Sequence, residues 1–437
     1  MRLSRRARRW TAVVAIGPLV LAGGCTSGSK NGKAQAAPPP TLTLSPGGNA
    51  AKVPISTEVG TATDGKITAV TLTDDKGASV AGDMRPDGSS WLPGRPLDFK
   101  RSYTAQVTAT SAAGKTTTQT TKFTTMDKPD SQVKTEMYFE SGKTYGVNMP
   151  VTVSFDPPVP KENRAAVQKR LLVNTDPPQP GTWSWPDDGK QVEYRAPDPW
   201  RLGTKISVRA ALAGLPIKDS FGDGDHVASA TIAQNKVNLE VDNKTKQMAV
   251  YRDDKLLKKI PVSLGKASTP SSSGKMVIME KFDTTVFDTR GEPNGGYVVT
   301  VSDAQRLTWG GEFIHAAPWS EGEQGYTNTS HGCVNVSTTA ADWLMSVTHV
   351  GDLVTVKGTE VTLDQGNGFT AWNVSWEEFA RHSALPVPAD LKPAPQPAPS
   401  ASPAPSGSSA PSGSPGGTGP APADSPAAPA SSNSVGG

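Results

Sequence analysis

Period-two alternation sets the tightest limit on how this chain can fold. In Ile67-Thr68-Ala69-Val70-Thr71-Leu72 and Tyr103-Thr104-Ala105-Gln106-Val107-Thr108-Ala109 alternate side chains point to opposite faces, and Ser111-Ala112-Ala113-Gly114-Lys115 turns the second run into Thr116–Phe123. Short strands with turns this close predict an antiparallel sandwich of immunoglobulin type over residues 41–126. A second all-β unit is expected over 127–234. Its clearest strands are Val147–Phe155, Val192–Arg195 and Lys205–Leu212, with one short helix over 162–171. Asp223-Gly224-Asp225-His226 lacks the twelve-position ligand pattern of a calcium loop and reads as a turn. The 437 residues allow two to four domains.

A further β-rich unit is expected over 235–358. Val237–Val241, the turn Asp242-Asn243-Lys244-Thr245 and Gln247–Tyr251 form a hairpin. Lys255–Leu264, Lys275–Glu280, Val298–Val301 and Leu353–Val356 continue the strands. Ser337 is placed to cap a helix running to about Thr348, with Gly351 beyond its end. A small segment, 359–385, carries Phe369, Trp372, Trp376 and Phe379, and its aromatic spacing predicts docking on a neighbouring domain. Residues 386–437 are almost wholly Pro, Ala, Ser and Gly, a composition that cannot offset chain entropy by burial and is expected to remain without fixed structure.

The first 24 residues read as an export signal, with Arg2, Arg5, Arg6, Arg8 and Arg9 ahead of an apolar run from Trp10 to Leu21 and the small residues Ala22-Gly23-Gly24. Cys25 follows where bacterial lipoproteins carry the lipidated cysteine, so residues 25–40 are expected to be a membrane-attached tether. The work of the chain then lies on the outer face of the cytoplasmic membrane, in the wall space. A net charge of +3 and the lack of a basic stripe give no electrostatic case for nucleic acid.

With two cysteines in the sequence and Cys25 lipidated or removed, Cys333 has no partner for a disulfide. It sits in Ser330-His331-Gly332-Cys333-Val334-Asn335, eighteen residues after His315. Acyl transfer by a thiol needs a base to take its proton, a group to hold that base, and amides where oxyanion charge develops. His315 or His331 supplies the first, a backbone carbonyl suffices for the second, and Gly332 permits close backbone approach for the third. Zinc binding by His315, His331 and Cys333 and a purely structural cluster stay open as alternatives, although no CxxC or HExxH spacing is present.

Ser330-His331-Gly332-Cys333-Val334-Asn335 preceded by His315 resembles the catalytic domain of L,D-transpeptidases, the YkuD family. The likeness extends over about residues 236–357, through Met248-Ala249-Val250-Tyr251, Pro261-Val262-Ser263-Leu264-Gly265 and Ser272-Ser273-Gly274-Lys275-Met276. Two immunoglobulin-like domains ahead of it and a Trp-rich piece behind resemble the lipoprotein members from actinobacteria. The resemblance implies a mainly β, multidomain protein: two immunoglobulin-like sandwiches, a YkuD-type β-sandwich with short helices, and a small C-terminal subdomain.

It also implies a cofactor-free, metal-free enzyme that joins peptidoglycan stem peptides. Cys333 would attack a donor tetrapeptide, release D-Ala, and pass the acyl group to the side-chain amine of an acceptor, forming a 3→3 cross-link. By the same resemblance His315 is the base. The position after it, often Ser or Thr in the family, is Ala316, whose carbonyl would orient the imidazole. Ser330, His331 and Gly332 match supporting positions of the motif; Tyr297, Trp319 and Asn335 fall where substrate is bound. Carbapenems are expected to acylate the same thiol. Hydrolysis of the thioester, attachment of a protein to the wall, and a non-enzymatic wall-binding role are the alternatives.

Overall fold

The computed structural model describes residues 38–392 except 63, 86–87, 289, 291–295 and 297. The segment expected to be an export signal, Cys25, most of the expected tether, Tyr297 and residues 393–437 therefore lie outside the described residues. The described chain is mostly β, and its buried apolar side chains gather into three main cores.

The first core fills a sheet in which Lys66–Asp74, Ser102–Thr110 and Thr116–Thr125 pair antiparallel. Alternation works there as expected: Tyr103, Ala105, Val107 and Ala109 are buried, packing with Leu72, Trp91 and Phe123. The second core lies between a six-stranded and a four-stranded sheet. Phe155, Trp185, Val192, Ile206 and Leu212 supply its bulk. Between these regions the buried carboxylate of Glu58 meets Arg85, Lys169 at 3.0 Å and Arg170 at 3.6 Å.

Two expectations shift here. The strand expected from Val147 begins at Val151, because the chain before it pairs elsewhere: the amides of Gly146 and Asn148 donate to the carbonyls of Val350 and Gly351 at 2.7 and 3.1 Å. The helix expected over 162–171 runs Lys161–Gln168, since Leu171 is already in a strand opposite Ala210.

The third core is the one that carries the site. Val237–Asp242 pairs with Gln247–Arg252 and, on its other side, parallel to Leu353–Lys357. Lys255–Pro261 ends before the expected Leu264. The run expected over Lys275–Glu280 divides into Ser272–Val277 and Glu280–Asp288, which belong to different sheets. Glu280–Asp288 forms a long hairpin with Val298–Arg306, much longer than the four residues expected there. The helix Thr338–Val347 is capped as expected, the Ser337 hydroxyl accepting from the Ala340 amide. Lys281, on the hairpin, donates to the carbonyls of Met345 and Thr348 at 2.8 and 2.6 Å, placing a cation where the helix dipole is negative.

The C-terminal piece straps the second and third cores together. Phe369 enters the second core, and the Trp372 indole donates to the Asn148 carbonyl at 2.7 Å. Arg195 inserts among Trp372, Phe379 and Trp376, its guanidinium carbon 4.4, 4.5 and 5.3 Å from the ring centres. It also donates to the carbonyls of Ala371 and Val374. Structure continues past the expected limit at Leu385. Ala389–Leu391 forms a short 3-10 turn, and the Leu391 carbonyl accepts from the Trp376 indole at 2.9 Å.

Candidate active site

The site grows from two short strands. Phe313–Ala316 pairs parallel with Val334–Val336 in the register Ile314↔Val334, His315↔Asn335, Ala316↔Val336. Alternation sends Ile314, Ala316, Val334 and Val336 into the third core. The opposite face is left to Phe313, His315, Cys333 and Asn335. A cavity of about 340 Å³ opens over that face, lined by His315, Trp319, Ser330, His331, Cys333 and Asn335, with Phe287 and Val299 of the long hairpin as its other wall.

His315 is buried, and its Nδ1 lies 2.8 Å from the Ala316 carbonyl oxygen. A carbonyl only accepts, so Nδ1 carries the hydrogen and Nε2 keeps its lone pair. Burial pushes the imidazole pKa down, against the smaller effect of the Ala316 bond. Phe287 meets the imidazole edge-on at 5.2 Å and Trp319 lies 6.0 Å away, itself 57% exposed at the mouth. The ring is thus fixed, neutral and basic at the nitrogen that the Ala316 bond leaves open.

The turn before the nucleophile is shaped by hydroxyls. Ser330 Oγ accepts from the Gly332 amide at 3.1 Å and donates to the Cys333 carbonyl at 2.6 Å. Ser271 Oγ donates to the Gly332 carbonyl at 2.6 Å. Gly332 has φ +122°, in the region that favours glycine. Its amide, a candidate oxyanion donor in the sequence, is thus taken up by Ser330 here. His331 is exposed, and Lys266 Nζ lies 2.9 Å from its Nε2. Among the described residues no three His, Cys, Asp or Glu side chains group as metal ligands.

Cys333 is the free thiol, buried, with its Sγ directed at the Gly311 carbonyl at 3.7 Å. Burial pushes its pKa up to about 12; the Phe313 amide works against this and the charge of Glu312 adds to it. Asn335 is buried beside it. Its Nδ2 donates to Ser320 Oγ at 3.1 Å, while its Oδ1 has no partner among the described residues.

The cavity so brings together His315, Trp319, Ser330, His331, Cys333 and Asn335; Gly332 and Ala316 flank them in backbone roles. Sequence reasoning missed Ser271, Ser320, Phe287, Val299 and Glu312. Ser271 is the residue before a stretch already singled out, and Glu312 immediately precedes the Phe313–Ala316 segment. The hairpin residues carried no signal, since Phe287 and Val299 look like any half-buried strand positions.

A histidine fixed by a carbonyl on one strand and a free buried thiol just ahead of the adjacent strand, following immunoglobulin-like sheets in the chain, describe a thiol-bearing acyltransferase. A family profile described as the L,D-transpeptidase catalytic domain (YkuD) matches residues 236–356, and one described as a bacterial Ig domain matches residues 50–216. L,D-transpeptidase 2 of Mycobacterium tuberculosis (strain CDC 1551 / Oshkosh) is 33% identical over 352 residues, which cover 79% of this chain and 85% of that relative. L,D-transpeptidase 5 of Mycobacterium tuberculosis (strain ATCC 25618 / H37Rv) is 34% identical over 370 residues, 82% and 80% of the two chains. A solved structure of an LD transpeptidase in complex with imipenem is 30% identical, covers 52% of this chain and 100% of its own, and superposes with a TM-score of 0.43. The chain belongs to the L,D-transpeptidase family. It is an acyltransferase enzyme.

Proposed function

We propose that this L,D-transpeptidase forms 3→3 cross-links between peptidoglycan stem peptides, with Cys333 as nucleophile and His315 as base, while attached to the outer face of the cytoplasmic membrane through a lipid on Cys25. The observation that carries the reading is the 2.8 Å contact between His315 Nδ1 and the Ala316 carbonyl, which leaves Nε2 as the acceptor in the cavity that also holds the lone thiol.

Burial pushes the Cys333 pKa up to about 12, which disfavours a free thiolate at neutral pH. Proton transfer from Sγ to Nε2 therefore accompanies attack, once donor binding turns Sγ from the Gly311 carbonyl toward the imidazole. Sulfur attacks the carbonyl carbon of the diaminopimelate–D-Ala amide, the tetrahedral intermediate collapses, and the imidazolium returns its proton to the departing D-Ala amine. The acceptor's side-chain amine then attacks the thioester and gives a proton to His315. The new amide forms as the thiol leaves and regains its proton.

Trp319 at the mouth and the Oδ1 of Asn335, which has no partner among the described residues, supply an apolar surface and an acceptor for the donor peptide. Tyr297 is assigned to substrate binding by its sequence position, and the two immunoglobulin-like units, 41–126 and 127–234, act as spacers. The relative solved with imipenem supports acylation of Cys333 by carbapenems. Intact-mass measurement with meropenem tests the assignment: one adduct is expected on the wild type and none on Cys333→Ala. An adduct that survives in Cys333→Ala, or no adduct on the wild type, overturns it. Product analysis with a disaccharide-tetrapeptide, with and without an acceptor amine, separates cross-linking from hydrolysis.

A further inference from the structure

Among the described residues no Lys, Arg, Asp or Glu lines the cavity over the reactive pair. Burial pushes His315 toward its neutral form as well. Yet the donor in the reading above ends in D-Ala, whose free carboxylate must come in beside the thiol. A carboxylate is costly to take out of water unless a cation or several donors meet it. A cation stands at the rim. Lys266 Nζ lies 2.9 Å from Nε2 of His331, and that ring is part of the cavity wall. An ammonium only donates, so one of its hydrogens takes the His331 lone pair and two remain for another acceptor. The backbone fixes where the lysine starts: its amide donates to the Ser330 carbonyl and the Ser330 amide to the Leu264 carbonyl, each at 3.0 Å, which ties Lys266 to the loop that carries the nucleophile. Among the described residues Lys266 forms no ion pair. Two other charges near the reactive strands are engaged elsewhere. Glu312 has its Oε1 on the Ser272 amide at 2.6 Å, and Arg306, over the Phe313 ring, pairs with Glu280 at 3.1 Å.

We propose that Lys266 is a specificity-determining residue that binds the free carboxylate of the donor's terminal D-Ala. The inference rests on the cross-linking reading above. The reach fits. One residue spans at most about 3.6 Å, so the D-Ala carboxylate lies a single residue's length from the carbon that Cys333 attacks, and His331, two positions before Cys333, has its backbone within about 7 Å of the nucleophile's. The ammonium rides on a flexible four-carbon stem and can meet the carboxylate while the Lys266 backbone stays tied to Ser330. The contact is made to the residue that departs. When the amide bond breaks, the carboxylate leaves with D-Ala, and the thioester keeps no group for Lys266 to hold. The lysine therefore acts on the first half of the reaction alone. A donor whose last residue is amidated, or extended by a further residue, puts no carboxylate at this place and gains nothing from the charge.

The test compares two disaccharide-tetrapeptide donors, one ending in the D-Ala free acid and one in D-alaninamide, on the full-length protein. Release of D-Ala or D-alaninamide is followed by mass spectrometry at donor concentrations low enough to give kcat/KM. The wild type is expected to favour the acid by at least about tenfold, the worth of a charge-assisted hydrogen bond. Lys266→Met, which keeps an unbranched stem without the charge, should erase the preference, and Lys266→Gln serves as a second neutral variant. Lys266→Arg should keep most of it. The ratio of aminolysis to hydrolysis of the thioester should be the same in Lys266→Met and the wild type. A wild type without preference overturns the proposal. So does a Lys266→Met that slows both donors equally, which would assign the lysine a packing role through His331. A shift in the aminolysis ratio overturns it too, because the contact would then reach beyond the leaving residue. Should the wild type release product from neither donor, the cross-linking reading falls and this proposal with it.

Discussion

Arg195→Ala is expected to undock the C-terminal strap while leaving the catalytic sheet folded. In the native protein the guanidinium donates to Ala371 at 2.9 Å and Val374 at 3.3 Å in the strap, and to Ala196 and Pro197, each at 3.2 Å, on its own side. It also lies over three aromatic rings and supplies the nearest positive charge to the buried Glu193. Truncation leaves four carbonyls without their donor and a void between the rings. At about 1–3 kcal/mol for each buried acceptor left unsatisfied, the set costs about 3–5 kcal/mol even if water reaches some of them. At 1.36 kcal/mol per tenfold, strap opening should rise by about 10²- to 10⁴-fold.

Native-state hydrogen exchange reads this directly. Peptides covering the Asn373 and Phe379 amides, which donate to Thr370 and Ser375, should lose protection by that factor, while Val334–Val336 and Leu353–Lys357 stay protected. Arg195→Met keeps much of the stem packing and separates volume from charge; it should recover less than half of the lost protection. Exchange in the strap unchanged within about threefold for Arg195→Ala would refute the clamp, because a loss of about 3 kcal/mol cannot be hidden there.

Three other outcomes follow from the geometry. Ala316→Ser should leave meropenem acylation within about threefold of the wild type, because the carbonyl holds His315. Its stability should fall by about 1–2 kcal/mol in urea denaturation, because that side chain faces the core and a hydroxyl there has no ready partner. Gly332→Ala has room for its methyl but must adopt φ near +122°, a strain of about 1–3 kcal/mol, so acylation should slow at least about tenfold as the turn relaxes. Glu193 is raised from 4.5 to about 8, chiefly by burial, against the Thr370 and Ala371 amides and the Arg195 charge. A raised folded-state pKa stabilises fully below 4.5, and that contribution is lost as pH climbs toward about 8. Glu193→Gln should flatten the fall in urea midpoint between those limits.

Much of the site could be read from residues whose chemistry is rare. Cys333 beside Gly332, with His331 two residues and His315 eighteen residues before it, leaves few other uses for a thiol. The holder of His315 followed from the family resemblance, which orients the imidazole through the next residue, here Ala316. What could not be read depends on contacts between distant segments. Glu312 looks like a solvent-exposed acid until the Ser272 strand folds over it. The Val147 boundary fails because alternation cannot tell whether a backbone amide pairs within its sheet or with Val350. Pro386–Lys392 reads as featureless by composition, yet the half-buried Trp376 indole finds an acceptor in the Leu391 carbonyl.

The parallel register between Phe313–Ala316 and Val334–Val336 changes what the eighteen-residue interval means. Strand pairing sets His315 opposite Asn335, two residues past Cys333, so residues 317–329 form a connection whose length that pairing does not fix. That connection carries Trp319 and lines the cavity, so the residues proposed to meet the donor lie apart from the proposed reactive pair. Insertions or exchanges there are expected to alter peptide preference while the strand register stays in place. Changes to the four-residue strand itself have no such freedom, because a slip of one position would turn His315 into the core.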